Sequence, residues 1–585
     1  MPTPAETARA YHQITKHHPM RQARSLGYMD WDSQPDPFRR YAGAAEVELG
    51  FGAGVDPVAR VLRLALGLTA WKEYEGNRWA LRANPSSGNL HPTEGYVVLP
   101  AGRRGLPAGV LHYAPKEHAL EFRCSLGRGA AEALGDRLPP GGFLIALTSI
   151  LWREAWKYGE RALRYCALDS GHALAAVDYA AACVGLRVEP VLGWSDAALG
   201  TLLGLDREAD FAELDPWEHE HPDLLLVVMP EGAEGRVGDP TIAEALSSDA
   251  LLELFASGTW HGTPNALSSE HHEWDVIHAT AAATKRSPAQ ALQQSEAFAL
   301  KSKAAEPEQE SPHLSVSPAH GRAAPSDAST LARERTGLPD FQAFAPNHLA
   351  DLILQRRSAV SMVPGGDLDL AAFARMLDAT LLRQDRAPWR GWSDPSRAHL
   401  LLFVHRVAGL ERGLYLLERH TGDHDSLREA MADELEWHAC DELAGLAPAV
   451  PGGTDFAHLR LFRLRKGHCE GIARSASCEQ DIAADGAFSL GMLTRLGPVV
   501  ERDPSAYRRL FWECGAIGQA LYLEAEAAGQ NATFIGCYFD DSVHALVGLT
   551  GDTWQVMYHF TVGVASEDAR LRTLPPYAHL EGRSE

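Results

Sequence analysis

Two segments of the chain resemble each other without a gap. Residues 171–205 align with residues 515–549 over 35 positions, eight of which are identical, at a constant offset of 344 residues. Self-similarity of this kind is the sequence signature of a repeated structural unit. The repeat therefore predicts two domains of the same fold within one chain. The alternative is two unrelated α/β segments of similar composition.

Both copies follow the same order of predicted elements. The pattern predicts a long helix rich in Ala and Gly that ends near Gly185 in one copy and near Gly529 in the other. Glycine is favoured just past a helix end. A short extended run follows. Asp196 or Asp540 then stands at the start of a second helix, where an aspartate can cap the free N–H groups. Each copy closes with a β-rich run.

A repeat of this length predicts a two-fold homodimer fused into one polypeptide and packed through its long helices. The 585 residues are enough for two large domains. Between residues 304 and 337, Pro, Ser, Ala and charged residues replace the large apolar ones, and such a segment cannot bury enough surface to offset its ordering entropy. We predict a first domain over residues 1–239, a helical extension and flexible linker over 240–337, and a second domain over 338–585.

Composition and charge exclude several classes of function. The chain has 77 Asp and Glu against 54 Lys and Arg, and its net charge of −23 opposes binding to nucleic acid or an anionic membrane. The eight cysteines form no Cys-x-x-Cys pair for zinc or redox chemistry. No apolar run reaches the roughly 18 residues of a membrane span, and the N-terminus lacks the apolar core of a signal peptide. We predict a cytoplasmic protein without a bound metal.

The most unusual stretch of the first half is a polar turn. Residues 85–89 (PSSGN) combine a proline and a glycine, which bend the backbone, with two hydroxyls and a carboxamide. Together with free backbone amides, these groups suit the polar edge of a heterocycle. From the residues alone, an ordinary polar loop is an equally good interpretation.

This turn resembles the Pro-Ser-Ser-x-Asn-x-x-Pro signature of the flavin-dependent nitroreductase superfamily. With Arg82 three residues before it, the motif is most similar to that of the SagB/ThcOx branch, whose members oxidise azolines to azoles. Residues 356–358 (RRS) match the family's Arg-Arg-Ser motif, and residues 515–563 resemble its last helix, loop and strand. The resemblance covers about residues 59–230 and 349–573. It implies an α+β fold of two fused nitroreductase-like domains, each a mixed β-sheet flanked by helices, that form an intramolecular pseudo-dimer.

The resemblance also implies FMN as cofactor and indicates which residues contact it. In family homodimers one subunit supplies the Arg-Arg-Ser and C-terminal elements and the other supplies the Pro-Ser-Ser-x-Asn turn. Guanidinium groups and a hydroxyl at a helix N-terminus can neutralise the phosphate. The residues assigned to the cofactor are Arg82, Pro85, Ser86, Ser87, Asn89, Arg356, Arg357, Ser358, Ile535, Gly536, Arg570 and Arg572.

The two motifs are distributed unequally between the halves. Only the first half has PSSGN, and the matching region of the second half keeps residues 394–396 (DPS) but lacks the Asn. Only the second half has RRS, whereas the first half offers residues 39–41 (RRY). The intact motifs complement each other across the pseudo-dimer. We therefore predict one FMN per chain, and a second, degenerate site built from the other two pieces.

Lys157 and Tyr158 are the candidate catalytic residues. Azoline-oxidising relatives carry a Lys-Tyr pair in a similar Lys-Tyr-Gly-x-Arg setting, and the repeat aligns this pair with Glu501 and Arg502. Dehydrogenation needs a base, and a Lys or Tyr with a pKa of about 10 needs burial or a nearby positive charge to act near neutrality. Three arginines close in sequence could supply that charge: Arg153, Arg161 and Arg164. The alternative is an ordinary lysine beside a half-buried tyrosine.

The leading function is an FMN-dependent oxidoreductase that takes two electrons from an azoline-like or other amino-acid- or peptide-derived substrate. One alternative is an NAD(P)H-dependent nitro- or quinone-type reductase, and another is a non-catalytic binding protein with a flavin fold. Because the sequence has no Gly-x-Gly-x-x-Gly loop and no P-loop, any NAD(P)H would bind transiently over the flavin. We expect a small-molecule or peptide substrate, no nucleic acid or membrane partner, and a monomer whose dimer is internal.

Overall fold

The computed structural model describes residues 1–52, 54–233, 240–304, 346–443, 446 and 456–580. Its α-helices, numbered α1 to α18 in chain order, are Pro4–Ile14, Pro57–Ala65, Arg128–Arg137, Leu151–Tyr158, Ala162–Ala182, Asp196–Leu203, Pro240–Ala245, Ser248–Phe255, Asp275–Ala283, Pro288–Ala304, Pro346–Gln355, Leu370–Ala379, His424–Ala430, Glu470–Ala476, Ile482–Asp485, Leu496–Arg502, Ala506–Ala527 and Asp540–Val547. Its β-strands, numbered β1 to β20, are Tyr41–Ala42, Glu46–Glu48, Leu68–Tyr74, Asn77–Arg82, Thr93–Leu99, Gly109–Ala114, Ala119–Ser125, Phe143–Ile150, Leu186–Pro190, Glu220–Pro230, Thr259–Trp260, Thr263–Pro264, Ala398–Val404, Gly413–Glu418, His438–Ala439, Arg460–Lys466, Phe488–Arg495, Asn531–Ile535, Trp554–Gly563 and Arg572–Leu574.

Two sheets of corresponding order form the centres of the two halves. The first runs β11-β7-β6-β5-β8-β10-β9 with β2 beside β7, and the second runs β15-β16-β14-β13-β17-β19-β18. Neighbouring strands pair antiparallel, and Ser358 adds a parallel bridge to Ala532 of β18. Alternate residues of β8 pack on two different apolar cores, because successive side chains of a strand point to opposite faces. The predicted α+β fold is confirmed.

The long helices α5 and α17 pack against each other where the two halves meet. A Cβ atom built on Gly171 would lie 2.1 Å from the carbonyl oxygen of Trp512, and one built on Gly515 would lie 2.1 Å from that of Leu168. Both pairs of matched residues, Gly171 with Gly515 and Leu168 with Trp512, are separated by the offset of 344 residues. The contact is therefore reciprocal, as in the interface of a two-fold homodimer, and it requires glycine at both positions.

A second reciprocal contact uses the matched aspartates. Arg164 donates to Oδ1 of Asp540 over 2.8 Å, and Arg508, which the repeat aligns with Arg164, contacts Asp196. All four side chains are buried. The prediction that the aspartates cap their helices is wrong: Ser195 caps α6, and no side chain caps α18 among the described residues. The aspartates instead form ion pairs with the opposite half.

Both ends of the chain cross over to the opposite half. After α1, Nζ of Lys16 donates to Oδ1 of Asp541 over 2.8 Å. Near the other end, β20 pairs with β3 of the first half, and the hydroxyl of Tyr577 accepts the N–H of Leu68 over 3.0 Å. The halves are thus held together by exchanged terminal segments as well as by the central helices.

Four helices, α7 to α10, fill the region before the predicted linker, and the linker itself lies mostly in residues 305–345, outside the described residues. The last of these helices reaches the second half, where Nε2 of Gln290 donates to Oδ1 of Asp503 over 2.7 Å. Within the described part of the chain, no helix has the length and apolar character needed to cross a membrane.

Candidate functional site

A cavity of about 900 Å³, called the main cavity below, lies between the two halves. The first half lines it with the end of β4, the polar turn and the side chains of Tyr158 and Tyr165. The second half lines it with residues 356–361, with the region 531–537 around β18, and with segments between 565 and 573. This volume is typical of sites for small molecules and cofactors. The structure thus brings together PSSGN, RRS, Ile535 and Gly536, which are far apart in the sequence.

The polar turn is held from behind by Asp169 of α5. The N–H and Oγ of Ser87 donate to this carboxylate over 3.0 to 3.1 Å. Burial raises the pKa of Asp169 to about 7, although hydrogen bonds from the turn oppose the shift. Sequence reasoning missed this residue. The repeat offered a signal, since it aligns Asp169 with Glu513, which accepts hydrogen bonds from Oγ of Ser396 and N of Arg397 over 2.9 and 2.8 Å.

The turn itself has a left-handed backbone at two successive residues. Gly88 and Asn89 have φ values of +58° and +60°, and the carboxamide of Asn89 donates to the carbonyl of Ala80 over 2.8 Å. The hydroxyl of Ser86 accepts the N–H of His91 over 2.8 Å. These bonds fix the turn, and Pro85, Ser86 and Ser87 form part of the wall of the main cavity.

Lys157 and Tyr158 lie at the end of α4, directly against the turn. A Cβ atom built on Gly88 would lie 2.6 Å from the hydroxyl of Tyr158 and 3.0 Å from Nζ of Lys157. Glycine is therefore what lets both side chains reach the turn. Tyr158 lines the main cavity, and its pKa is raised well above the usual value by burial and then by the neighbouring Glu154.

The three arginines expected to supply positive charge are bound to other groups. Arg153 contacts Glu94 and donates to the carbonyl of His91 over 2.7 Å. Arg161 and Arg164 contact Asp540 over 3.3 and 2.8 Å. The expectation that they lower the pKa of Lys157 or Tyr158 is wrong for Tyr158, because burial and then Glu154 raise its pKa.

Arg356 lines the main cavity and carries two buried hydrogen-bond donors without a partner among the described residues. Its Nη2 donates to the carbonyl of Arg82 over 3.2 Å, and its guanidinium carbon lies 4.8 Å from the ring centroid of Tyr522. Its Nε and Nη1 have no hydrogen-bond partner among the described residues, although the residue is only 4% exposed. Burial also lowers its pKa. A buried guanidinium in this state is suited to binding an anion.

The other two residues of the RRS motif are fixed by the surrounding structure. Arg357 donates to the carbonyl oxygens of Thr69 and Leu354 over 3.0 and 2.9 Å, and burial, together with Arg356, lowers its pKa to about 10. Oγ of Ser358 lies 2.8 Å from the hydroxyl of Tyr522 in α17. Both residues line the main cavity.

The wall of the main cavity is cationic although the chain as a whole is acidic. Arg82 is almost fully buried there, and burial lowers its pKa to about 10. Among the described lining residues, five cationic side chains stand against two carboxylates: Lys72, Arg82, Arg356, Arg357 and Arg570 against Glu567 and Asp568. A focused positive field in an acidic chain favours an anionic ligand.

The two C-terminal arginines do not have equal places. Arg572 donates to Oε1 of Glu73 over 2.7 Å and is not among the described lining residues of the main cavity. Its neighbours Leu571 and Thr573 line the cavity. Arg572 therefore does not line the main cavity as predicted, because successive side chains of an extended segment point to opposite sides. Arg570 lines the main cavity, but its side chain is exposed and forms an ion pair with Asp568 over 2.7 Å.

The matching place on the other side of the central helices holds a smaller cavity of about 370 Å³. Arg502 and Arg509 line it where the repeat puts Tyr158 and Tyr165 in the main cavity. The side of this smaller cavity is formed by α10, through Gln290, Gln293, Gln294 and Ala297. The helical extension therefore occupies space beside the DPS segment.

The RRY segment of the first half does not reach this smaller cavity. Arg39 donates to the carbonyl of Glu218 over 2.7 Å, and Nε of Arg40 donates to Oε1 of Glu121 over 2.6 Å. Both arginines are thus bound within the first half. The predicted second site, built from RRY and DPS, is wrong.

One group in the described part of the chain could present three metal-ligand atoms within 4.8 Å of one another: His399, His420 and Asp423. Nδ1 of His399 accepts the N–H of Arg419 over 3.3 Å, so its Nε2 carries the hydrogen in the neutral ring. That nitrogen lies 3.6 Å from Oδ2 of Asp423. In this tautomer Nε2 has no free lone pair with which to bind a metal.

Comparison with known proteins agrees with this architecture. Residues 498–564 match the model of the nitroreductase family. The structure superimposes on a putative nitroreductase from Anabaena variabilis with a TM-score of 0.62 and 21% identity, covering 96% of this chain and 99% of the other. The chain has the nitroreductase fold. A curated relative, the trifolitoxin-processing protein TfxB of Rhizobium leguminosarum bv. trifolii, is 30% identical over 159 residues, 25% of this chain. The chain spans only 43% of that relative's length.

The raised pKa of Asp169 predicts a stability that depends on pH. Between about pH 4 and pH 7 the folded protein keeps this proton while the unfolded chain releases it, so stability falls as the pH rises through that range. Relative to Asp169→Asn, the wild type should lose up to about 4 kcal/mol of unfolding free energy over this range. Urea unfolding at several pH values measures the difference. Asp425→Asn, an exposed change on α13, should show no such trend, and a pH-independent effect of Asp169→Asn would contradict the assignment.

Proposed function

We propose that this chain is an FMN-dependent oxidoreductase that holds one FMN in the main cavity. The observation that carries the proposal is the buried guanidinium of Arg356, whose Nε and Nη1 have no partner among the described residues and which lines the same cavity as the PSSGN turn. A cavity with an anion-binding corner and a polar turn suits a cofactor with a phosphate at one end and a heterocycle at the other.

The residues divide into two groups by what they would hold. Arg356, Arg357 and Ser358 would bind the phosphate, and Ser86, Ser87 and the backbone of the turn would contact the polar edge of the ring system. When bound, FMN would supply a two-electron acceptor. The fit rests on the cationic wall described above, since the phosphate would compensate charges that the surrounding protein leaves uncompensated.

Lys157 and Tyr158 would act on the substrate. In this proposal Lys157 accepts the substrate proton, since its Nζ lies beside Gly88, and Gly88 lines the main cavity. Tyr158 keeps its own proton, because burial and Glu154 raise its pKa, and it donates a hydrogen bond that orients the substrate. A base and a hydrogen-bond donor side by side suit proton removal from a carbon atom.

We further propose a substrate derived from an amino acid or peptide, with an azoline ring as the leading candidate. Two observations support this class: the sequence around Lys157 and the PSSGN turn resembles azoline-oxidising enzymes, and the relative TfxB is named as a trifolitoxin-processing protein. Electrons would pass to O₂ or another acceptor, and any NAD(P)H would bind transiently. We propose that the protein is a monomer, because its two-fold interface is internal. We also propose that it is cytoplasmic.

A single FMN per chain is favoured by the difference between the two cavities. The smaller cavity has Arg502 and Arg509 in the places of two tyrosines, and α10 lies along its side. Arg39 and Arg40, the counterparts of the phosphate-binding arginines, are bound elsewhere. Among its described lining residues, the smaller cavity therefore lacks the counterparts of Arg356 and Arg357, and its volume is less than half that of the main cavity.

The phosphate-binding role of Arg356 can be tested with two flavins. In Arg356→Gln the affinity for FMN should fall about 10- to 150-fold, since a charged hydrogen bond contributes about 1.5–3 kcal/mol, while the affinity for riboflavin, which lacks the phosphate, should hardly change. Fluorescence titration measures both. Arg128→Gln is the matched control, because Arg128 is exposed, is paired with Glu132 of the same helix and is not among the described residues that line the main cavity. Equal losses for the two flavins, or two FMN per chain, would contradict the proposal.

The catalytic role of Lys157 predicts a separation of binding from turnover. Lys157→Ala should retain FMN but lose most of its activity on an azoline-containing peptide, about 100-fold or more if the lysine is the general base. Stopped-flow absorbance of the bound flavin follows the reaction. Tyr158→Phe should lower activity less, because the ring remains. Full activity of Lys157→Ala would refute the role, and rapid bleaching by NAD(P)H alone would favour the reductase alternative.

A further inference from the structure

Two of the eight cysteines, which form no motif in the sequence, lie side by side at the main cavity. Cys478 and Cys537 are 59 positions apart, yet their Sγ atoms lie 2.7 Å from each other. Both are partly exposed, as is Cys440. The remaining cysteines are buried: Cys124, Cys166, Cys183, Cys469 and Cys514.

The loops that carry the pair are fastened to each other by contacts that do not involve sulfur. The N–H of Phe539 donates to the carbonyl of Ala476 over 2.8 Å, and Nε2 of Gln480 donates to the carbonyl of Cys537 over 3.0 Å. Cys478 itself has a left-handed backbone with φ of +54°, which is uncommon for a residue other than glycine. The surrounding structure thus sets the position of both thiols.

The two thiols differ in access and in acidity. Cys537 lines the main cavity together with Gln480, whereas Cys478 is not among the described lining residues. The pKa of Cys537 is lowered by the hydrogen bond with Cys478 and by Arg161, and the same hydrogen bond raises the pKa of Cys478. A reagent in the cavity therefore meets the more acidic thiol first, and the thiolate is the reactive form of cysteine.

We propose that Cys478 and Cys537 form a reversible redox pair that is oxidised by hydrogen peroxide reaching the main cavity. The Cys537 thiolate attacks one peroxide oxygen, the O–O bond breaks, one proton is taken up and water leaves, which gives a sulfenic acid. The sulfur of Cys478 then attacks that of Cys537. The S–S bond forms, the S–O bond breaks, and the thiol proton leaves with the hydroxyl group as a second water.

In total, two thiols and one hydrogen peroxide give one disulfide and two waters, and a dithiol reductant reverses the reaction by thiol–disulfide exchange. The disulfide would join the loop after α14 to the loop after β18 at the cavity wall. This pair does not depend on the proposed function, because it needs neither FMN nor a substrate.

The test begins with the full, freshly reduced chain. After treatment with one molar equivalent of hydrogen peroxide, remaining thiols are alkylated and the protein is digested without reduction for mass spectrometry. We expect a peptide linked through Cys478 and Cys537, a loss of two titratable thiols per chain, and recovery of both with dithiothreitol. A wild-type protein that forms no such linked peptide, or that oxidises Cys440 at the same rate, would overturn the proposal.

Single variants separate the two roles. In Cys478→Ser, Cys537 should accumulate as a sulfenic acid that dimedone traps, because the second thiol is missing. In Cys537→Ser, Cys478 should be trapped less than Cys537 is in Cys478→Ser, since Cys478 is not among the described residues that line the main cavity. Cys440→Ser is the matched control and should form the linked peptide at the wild-type rate. Equal trapping at Cys478 and Cys537 in the two variants would contradict the assigned order of attack.

Discussion

The close approach of α5 and α17 at Gly171 and Gly515 is the contact on which the rest of the structure depends. Each helix carries a residue that fixes one wall of the main cavity. Asp169 of α5 holds the polar turn, and Tyr522 of α17 contacts Ser358 and lies beneath the guanidinium of Arg356. The distance between the helices therefore sets the distance between the two walls. Buried reciprocal ion pairs between the halves reinforce this arrangement.

The backbone of the two halves is arranged with two-fold symmetry, but the side chains around the two cavities differ. The same helix pair offers two equivalent places, but among the described residues only one combines the polar turn, the partly unpaired guanidinium of Arg356 and a cavity of about 900 Å³. At the other place, arginines replace two tyrosines and α10 lies along the cavity. Fusion of two subunits into one chain allows this division, because each half can change without altering its counterpart, which an identical homodimer cannot do.

The sequence predicted features that depend on local chemistry or on the repeat. The backbone turns through Gly185 and Gly529 with φ values of +71° and +66°, just after α5 and α17 end, and the PSSGN and RRS motifs meet as expected. Partners chosen by tertiary structure could not be read in this way. Asp540 caps no helix because arginines of the other half reach it, and the two adjacent thiols come from loops with no shared sequence pattern.

The claim that the helix contact creates the site is tested most directly by Gly515→Ala. Alanine favours a helix over glycine by about 1 kcal/mol, so any destabilisation reports the added methyl group meeting the carbonyl of Leu168, 2.1 Å away. The variant should unfold at a lower urea concentration, since overpacking costs about 1–3 kcal/mol. It should also bind FMN more weakly than the wild type, because the two walls of the main cavity are displaced. Gly471→Ala in α14, where a Cβ atom meets no described atom within 4 Å, should change neither. A Gly515→Ala variant that matches Gly471→Ala in stability and FMN affinity would contradict the account.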